Sequence, residues 1–465
     1  MYLSTNWDKA GVQMSEVADS AISVVKRALE IVVPGREEVE KGRKAEKTLK
    51  ERLNRVLDGS NIEYEFVGSY ARNTWLRENL EIDVFLLFPE NYEIRELEEE
   101  GLKIGKAVVD RFELRYAAHP YVHGWVEGVE VDVVPCYKLK SPEKIKTAVD
   151  RTPFHHRWLK DRVKGKENEV RLLKGFLKAG GLYGAEYRVR GFSGYLCELL
   201  VILYGSFLEA IRAGRNFRRN TVIDIEGGRI LKGERFTVVD PVDPKRNVAA
   251  NLSIDNLARF VQRCREFLNS PDISYFVKPS YSNLDKVVEE LGKRYVYCLI
   301  TQKPEIVEDN LYTQLDRGSK KLFEHLSRLG FKPMRRTYFA DSRKCYMLVE
   351  TEVKELSVVE KRMGPVFEDE RNVNRFLRKC RSRGQKPFVE DGRFWVYSER
   401  RVKNTETAIR EFADKEWRAF GKDLGKAVKN GFDLVAGKDI CSVIELRSDS
   451  LVNVARFLGL IPDTG

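Results

Sequence analysis

Histidine is scarce in this 465-residue chain, with five residues, and the seven cysteines are scattered at positions 136, 197, 264, 298, 345, 380 and 441. No CxxC pair occurs, so neither a zinc site nor a disulfide framework is expected. The odd number and wide spacing of the cysteines point to reduced thiols in a cytoplasm. No run reaches the about 18 apolar residues needed to cross a membrane. The N-terminus lacks the basic stretch followed by an apolar one that marks a secretory signal. A Walker loop, an internal repeat and a low-complexity segment are also missing.

What is present is charge and enough apolar residue to pack it around. Apolar residues make up 42% of the chain, and the length predicts about two to four domains. A formal charge of +11 permits an anionic partner without requiring one. The charge is unevenly placed. Residues 61–150 hold 11 Lys/Arg against 18 Asp/Glu, whereas residues 371–403 hold 11 against 3. This split suits a metal site in one domain and a grip on a polyanion in another.

The acidic part contains the stretch FVGSYARNTWLRENLEIDVFLLF, residues 66–88. Two strand-like apolar runs flank a Gly-Ser turn. Glu81 and Asp83 have one apolar residue between them, so in a strand both carboxylates leave the same face. A later run, Val129 to Val134, offers Glu130 and Asp132 with equal parity, and parity does not choose between them. Asp83 lies among apolar residues, where an unpaired carboxylate is costly and a metal would relieve the cost. After Gly68-Ser69, Ala71 to Arg77 is expected to begin a short helix. Backbone N–H groups at such a turn can hold a phosphate. Ser69 adds a hydroxyl and Arg72 a cationic fork. Gly-Ser is common in ordinary turns and gains weight only from the carboxylate strand behind it.

Taken in order, residues 1–14 read as an irregular leader, and the start of translation is open between Met1 and Met14. Two helices follow, then a strand at 62–67, the strand at 82–88, a helix over 93–114 and a hairpin-like pair around Gly124 and Gly128. That order gives an α+β head with an antiparallel or mixed sheet. His119, His123, His155 and His156 form no evident ligand cluster. Arg171, Lys174 and Lys178 form one basic helical stripe. Residues 192–211 read as one apolar helix, and short strands flank the Gly227-Gly228 turn. Pro271 and Pro279 mark a domain boundary, and the strand–helix–strand pattern after it suggests a ferredoxin-like part. Residues 363–404 interleave Arg371, Arg375, Arg378, Lys379, Arg381 and Arg383 with aromatic residues. Cations of this kind position phosphates, and exposed aromatics can stack on bases.

Carboxylates that hold two Mg²⁺ ions beside a phosphate cradle suit nucleotidyl transfer. A nuclease could use similar acids but needs no such cradle. Together, FVGSYARNTWLRENLEIDVFLLFP, VEVDVVPCY and RTPFHHRWL resemble the archaeal type of CCA-adding tRNA nucleotidyltransferase, a branch of the polymerase-beta-like nucleotidyltransferases. LLKGFLKAGGLYGAEYRVRGFSGYLCELL, VVDPVDPKRNVAANLS and KRMGPVFEDERNV extend the resemblance over nearly the whole chain.

The resemblance implies template-independent addition of C, C and A to the 3′ end of tRNA, with CTP used twice and ATP once. It makes Glu81, Asp83 and Asp132 the catalytic, metal-binding acids. It assigns Ser69, Arg72, His155, Lys174 and Tyr183 to the incoming nucleotide, places His119 and Arg246 near the pocket, and gives Arg246 a part in base selection. It also implies a head at 21–160, a neck at 161–275 and a tRNA-binding body and tail at 276–465, and the leader at 1–20 departs from the family pattern. The tRNA acceptor stem and T arm, and a homodimer, are the implied partners. Another nucleotidyltransferase, such as a poly(A) polymerase, and an RNA-binding protein without activity are the rival expectations.

Overall fold

A computed structural model describes residues 5–116, 119–227, 235–444 and 448–462. The chain divides into two compact units between Pro279 and Ser280.

In the first unit, helix α1 (Thr5–Val32) occupies the stretch expected to be an irregular leader. Its polar residues are compatible with helix, and no proline interrupts it before Pro34. Helix α2 (Arg36–Val56) leads to strand β1 (Glu63–Val67), the four-residue helix α3 (Gly68–Ala71) and strand β2 (Glu81–Phe88). The expected helix over 71–77 is not formed. The helical turn comes earlier, and the positive φ angles of Asn73 (55°) and Glu78 (62°) keep the following segment out of a helix. Helix α4 (Ile94–Val108) also ends sooner than expected. Phe112, Leu114 and Tyr116 alternate at strand period in β3 (Arg111–Tyr116). Strands β4 (Pro120–Val126) and β5 (Val129–Tyr137) complete a mixed sheet of order β1-β2-β5-β4-β3, in which only β2 and β5 run parallel.

Period-2 alternation divides β2 between two environments. Ile82, Val84, Leu86 and Phe88 enter a core with α2 and α4, each contributing about 1.5–3 kcal/mol by burial. Phe85 and Leu87 join Val134 and Cys136 in a smaller cluster on the other face, the face shared by Glu81 and Asp83.

Helices α5 (Arg151–Arg162), α6 (Glu167–Ala179), α7 (Gly194–Tyr204), α8 (Phe207–Gly214) and α9 (Ile254–Asn269) build a second, helical core. The single apolar helix expected over 192–211 is two helices bent by 97°, because Gly205 has φ 89° and Ser206 caps α8. Between α8 and α9, β6 (Val222–Ile223) and β7 (Thr237–Val238) pair in parallel. Gly228 of the expected turn lies outside the described residues. Val24, Ala28 and Val32 of α1 pack into the helical core, not against the sheet that follows α1 in sequence. A Cβ at Gly175 would lie 2.4 Å from Val32, so α1 and α6 meet at a glycine.

The second unit runs α10 (Leu284–Gly292), β8 (Tyr295–Gln302), α11 (Glu308–Leu329), β9 (Pro333–Ala340) and β10 (Lys344–Thr351). After β11 (Val359–Val366), α12 (Glu370–Ser382), β12 (Pro387–Glu390) and β13 (Arg393–Glu399), it resumes with α13 (Thr405–Lys415), α14 (Asp423–Asn430) and β14 (Asp433–Ala436). Short α15 (Ile440–Val443) and α16 (Ser448–Phe457) follow. The order β14-β8-β10-β9, all antiparallel, is the ferredoxin-like arrangement. The segment from β11 to β13 is an insertion that forms its own three-stranded sheet beside α12.

Candidate active site

Parallel pairing of β2 with β5 sets Asp83 opposite Asp132 and Glu81 opposite Glu130. Antiparallel pairing of β4 with β5 sets His123 opposite Asp132. Glu81, His123 and Asp132 each offer a ligand atom, and these atoms lie within 4.8 Å of one another. His123 is 1% exposed and donates from Nδ1 to Asp132 Oδ1 at 2.6 Å. Its ring meets Trp125 edge to face at 4.9 Å. A histidine therefore belongs to the acidic cluster, contrary to the expectation that the histidines lie apart from any ligand group.

Gly68 makes room for Asp83. A Cβ on Gly68 would fall 1.8 Å from Asp83 Oδ2, and its φ of 71° is one that other residues avoid. Burial, then the charges of Glu81 and Asp132, push the Asp83 carboxyl up to about 8, with Arg72 opposing. Burial, then Asp132 and Glu130, likewise raise Glu81. Glu81 and Asp83, raised by burial and by carboxylates on the adjacent strand, fit a divalent cation, which favours their charged forms.

Beside the acids, Arg72 is held by a residue that sequence reasoning missed. Glu198 of α7 is fully buried and accepts from Arg72 Nε at 3.2 Å and Nη2 at 2.9 Å. The third arginine nitrogen, Nη1, lies 3.2 Å from His156 Nδ1. Burial and then Arg72 keep His156 low, at about 4, so it accepts this bond as neutral imidazole. Thr74 donates to Glu198 Oε1 at 2.6 Å.

Lys174 is 1% exposed, and its Nζ donates to the Thr74 carbonyl at 3.0 Å. Arg171 and Lys174 of the basic stripe thus face inward, while Lys178 is exposed. Arg171 bonds the Trp75 carbonyl and Asn73, and Lys178 bonds Asn79, so the stripe grips the irregular segment after α3. Lys174 also lies beside Tyr183. A Cβ on Gly194, at the start of α7, would be 3.1 Å from the Tyr183 hydroxyl and 3.6 Å from Lys174 Nζ.

A second buried carboxylate, Asp240, joins two of the expected nucleotide residues. It accepts from His155 Nε2 at 2.8 Å and Arg246 Nη1 at 2.7 Å, and also from the Tyr195 hydroxyl at 3.0 Å. The His155 ring stacks on Tyr195 at 4.2 Å. Burial alone would raise the Asp240 pKa, but His155, the Val242 N–H and Arg246 hold it below the usual carboxylate range. Asp240 sits between Val239 and Pro241 in sequence, and two of its partners, His155 and Tyr195, are remote in the chain. His119 is buried, and neither ring nitrogen has a hydrogen-bond partner among the described residues. Ser69 is half-buried on α3.

Three family models match consecutive parts of the chain. A nucleotidyltransferase domain covers residues 43–155, the second domain of tRNA nucleotidyltransferase covers 168–277, and the C-terminal domain of the CCA-adding enzyme covers 293–437. The CCA-adding enzyme of Archaeoglobus fulgidus is 57% identical over 423 residues, 90% of this chain and 95% of that protein. The CCA-adding enzyme of Methanocaldococcus jannaschii is 40% identical, over 81% of this chain and 87% of that protein. That of Methanothermobacter thermautotrophicus is 36% identical, over 90% and 94%.

The chain belongs to the CCA-adding enzyme family.

Its nucleotidyltransferase domain carries the acids on β2 and β5, and the family's second-domain model encloses Lys174, Tyr183, Glu198 and Asp240. The C-terminal model of the CCA-adding enzyme encloses α12. Arg371, Arg375, Arg378 and Lys379 are exposed along that helix, and Arg381 and Arg383 are exposed at its end. The neighbouring aromatics divide. Phe376 meets Phe394 at 6.5 Å between α12 and the inserted sheet, whereas Phe388 stacks with Tyr397 at 5.1 Å, and Tyr397 is 58% exposed.

Proposed function

We propose that this CCA-adding family member extends the 3′ end of tRNA by C, C and A, taking CTP twice and ATP once and releasing pyrophosphate at each step. The observation that carries the reading is the alignment of Asp83 with Asp132 on parallel strands, two register positions from Glu81 and directly over Gly68. The primer 3′-oxygen bonds to the α-phosphorus of the nucleotide as the α–β phosphoanhydride bond breaks, and pyrophosphate leaves. Asp132 is the carboxylate that helps take the hydroxyl proton. Two Mg²⁺ ions held by Glu81, Asp83 and Asp132 would supply the Lewis acidity that activates the hydroxyl and neutralises the leaving pyrophosphate.

Ser69 and Arg72, with Lys174 and Tyr183 behind them, hold the triphosphate. His155 and Arg246, joined through Asp240, and the buried His119 line the rest of the nucleotide pocket, with Arg246 toward the base. The exposed cations of α12 and its end hold the tRNA acceptor stem and T arm by backbone and A-form shape. The working form is a homodimer in the cytoplasm. Among the described residues no single helix is long and apolar enough to cross a membrane.

The test is stepwise extension of tRNA ending at the discriminator base. CTP alone should add two residues, CTP with ATP should stop at CCA, and tRNA ending in CC should accept ATP once. Asp83→Asn and Asp132→Asn should fold and bind tRNA with almost no incorporation. An unbounded A tail, or ATP addition to unrelated RNA, would move the reading to another polymerase.

A further inference from the structure

Glu198 is fully buried, and its partners are the groups that serve the nucleotide or hold them in place. An arginine has five N–H donors, and three are committed here: Nε and one hydrogen of Nη2 to Glu198, and one hydrogen of Nη1 to His156. One hydrogen is left on each terminal nitrogen. Those two hydrogens remain to donate to phosphate oxygens. Thr74 relays the same control to Lys174, donating to Glu198 Oε1 at 2.6 Å while its carbonyl accepts from Lys174 Nζ at 3.0 Å. Lys174 Nζ stands 3.9 Å from Glu198 itself. Glu198 and Lys174 lie on α7 and α6, while Arg72 and Thr74 lie in the irregular segment after α3. One carboxylate thereby ties the cations of two parts of the fold into a single arrangement.

We propose that Glu198 is the positioning residue of the triphosphate grip, fixing Arg72 and Lys174 in their nucleotide-binding geometry before nucleotide arrives. The proposal rests on the reading that Arg72 and Lys174 hold the triphosphate. It has an opposite with a different sign. If Glu198 were only a nearby negative charge, it would repel the triphosphate, and its neutralisation would tighten binding. If it positions the cations, its neutralisation frees Arg72 to adopt other rotamers and loosens Thr74 and Lys174, and binding weakens.

The experiment is calorimetric titration of the full chain with CTP in Ca²⁺, comparing wild type, Glu198→Gln, Arg72→Ala and the double variant. Glu198→Gln should weaken CTP binding by about tenfold or more, with tRNA affinity unchanged. The double variant should lose far less than the product of the two single losses, since Glu198 acts through Arg72. CTP binding by Glu198→Gln that equals or exceeds wild type, in a protein with a normal melting temperature, overturns the proposal. If Glu198→Gln does not fold, Thr74→Val takes its place. It should weaken CTP binding several-fold, and wild-type binding by it overturns the proposal equally. Wild-type CTP binding by both Arg72→Ala and Lys174→Ala would instead remove the premise that these cations grip the triphosphate.

Discussion

Two groups of acids lie in the N-terminal unit, one half-buried and one fully buried, and they are built on opposite terms. Glu81, Asp83 and Asp132 crowd one another on adjacent strands, and burial with mutual repulsion raises Asp83 to about 8 and lifts Glu81. Glu198 and Asp240 are both 0% exposed, yet each is held below the usual carboxylate range. Burial penalises Glu81, Asp83, Glu198 and Asp240 alike. The difference is supply: Arg72, Lys174 and Thr74 surround Glu198, and His155, Arg246 and Tyr195 surround Asp240. An acid completed by the protein's own donors organises its neighbours. An acid left short of them is suited to a cation from solution.

The most drastic way to break this contrast is to crowd the first group. Gly68→Ala would place a methyl against Asp83 Oδ2, where an ideal Cβ lies at 1.8 Å, in a backbone conformation that alanine disfavours. Displacement of the Asp83 carboxylate by this much should cost about a hundredfold in nucleotide incorporation, read in the tRNA extension assay, with the fold intact by circular dichroism. Full activity in Gly68→Ala would show that Asp83 need not sit where it does.

A gentler test uses pH. The Asp83 pKa of about 8 in the folded protein lies above that of an unfolded aspartate. Between about pH 4 and 8 the folded protein therefore keeps a proton that the unfolded chain has released, and this group's contribution to stability is lost as pH rises through that window. Metal-free protein should consequently gain more in melting temperature from Mg²⁺ at pH 8 than at pH 6, and Asp83→Asn should flatten the pH dependence. Equal Mg²⁺ shifts at both pH values in wild type would contradict the crowding of the acids.

The smallest effects belong to α12, whose cations are exposed and positioned by little beyond their helix. Arg375→Ala or Arg378→Ala should weaken tRNA binding uniformly across sequences and lower the salt slope by about one for each phosphate no longer neutralised. An unchanged slope in both would remove α12 from the tRNA surface.

Much of the acidic site was legible in the sequence, because strand parity puts Glu81 and Asp83 on one face without knowledge of the partners. The choice of Asp132 over Glu130 required the β2–β5 register or the family resemblance. His123 could have been found. A two-residue turn at Glu127-Gly128, both with positive φ, pairs Val126 with Val129 and so brings His123 to Asp132. Glu198 and Asp240 left no such trace. Glu198 lies 126 residues from Arg72, and Asp240 lies 85 from His155, so their roles exist only once the helices have packed. The misread segments share a local cause. At 71–77 and 192–211 a few residues with positive φ overrode helical composition, and at 111–116 a period of two hid behind a charged helix.

Binding of Mn²⁺, followed by the loss of the free-ion electron paramagnetic resonance signal, tests the contrast most directly. Wild type and Glu198→Gln should bind Mn²⁺ alike, and Asp132→Asn should lose most of that binding. Wild-type binding by Asp132→Asn, or loss of binding in Glu198→Gln, would mean that the two groups of acids do not divide the work between an external cation and the protein's own.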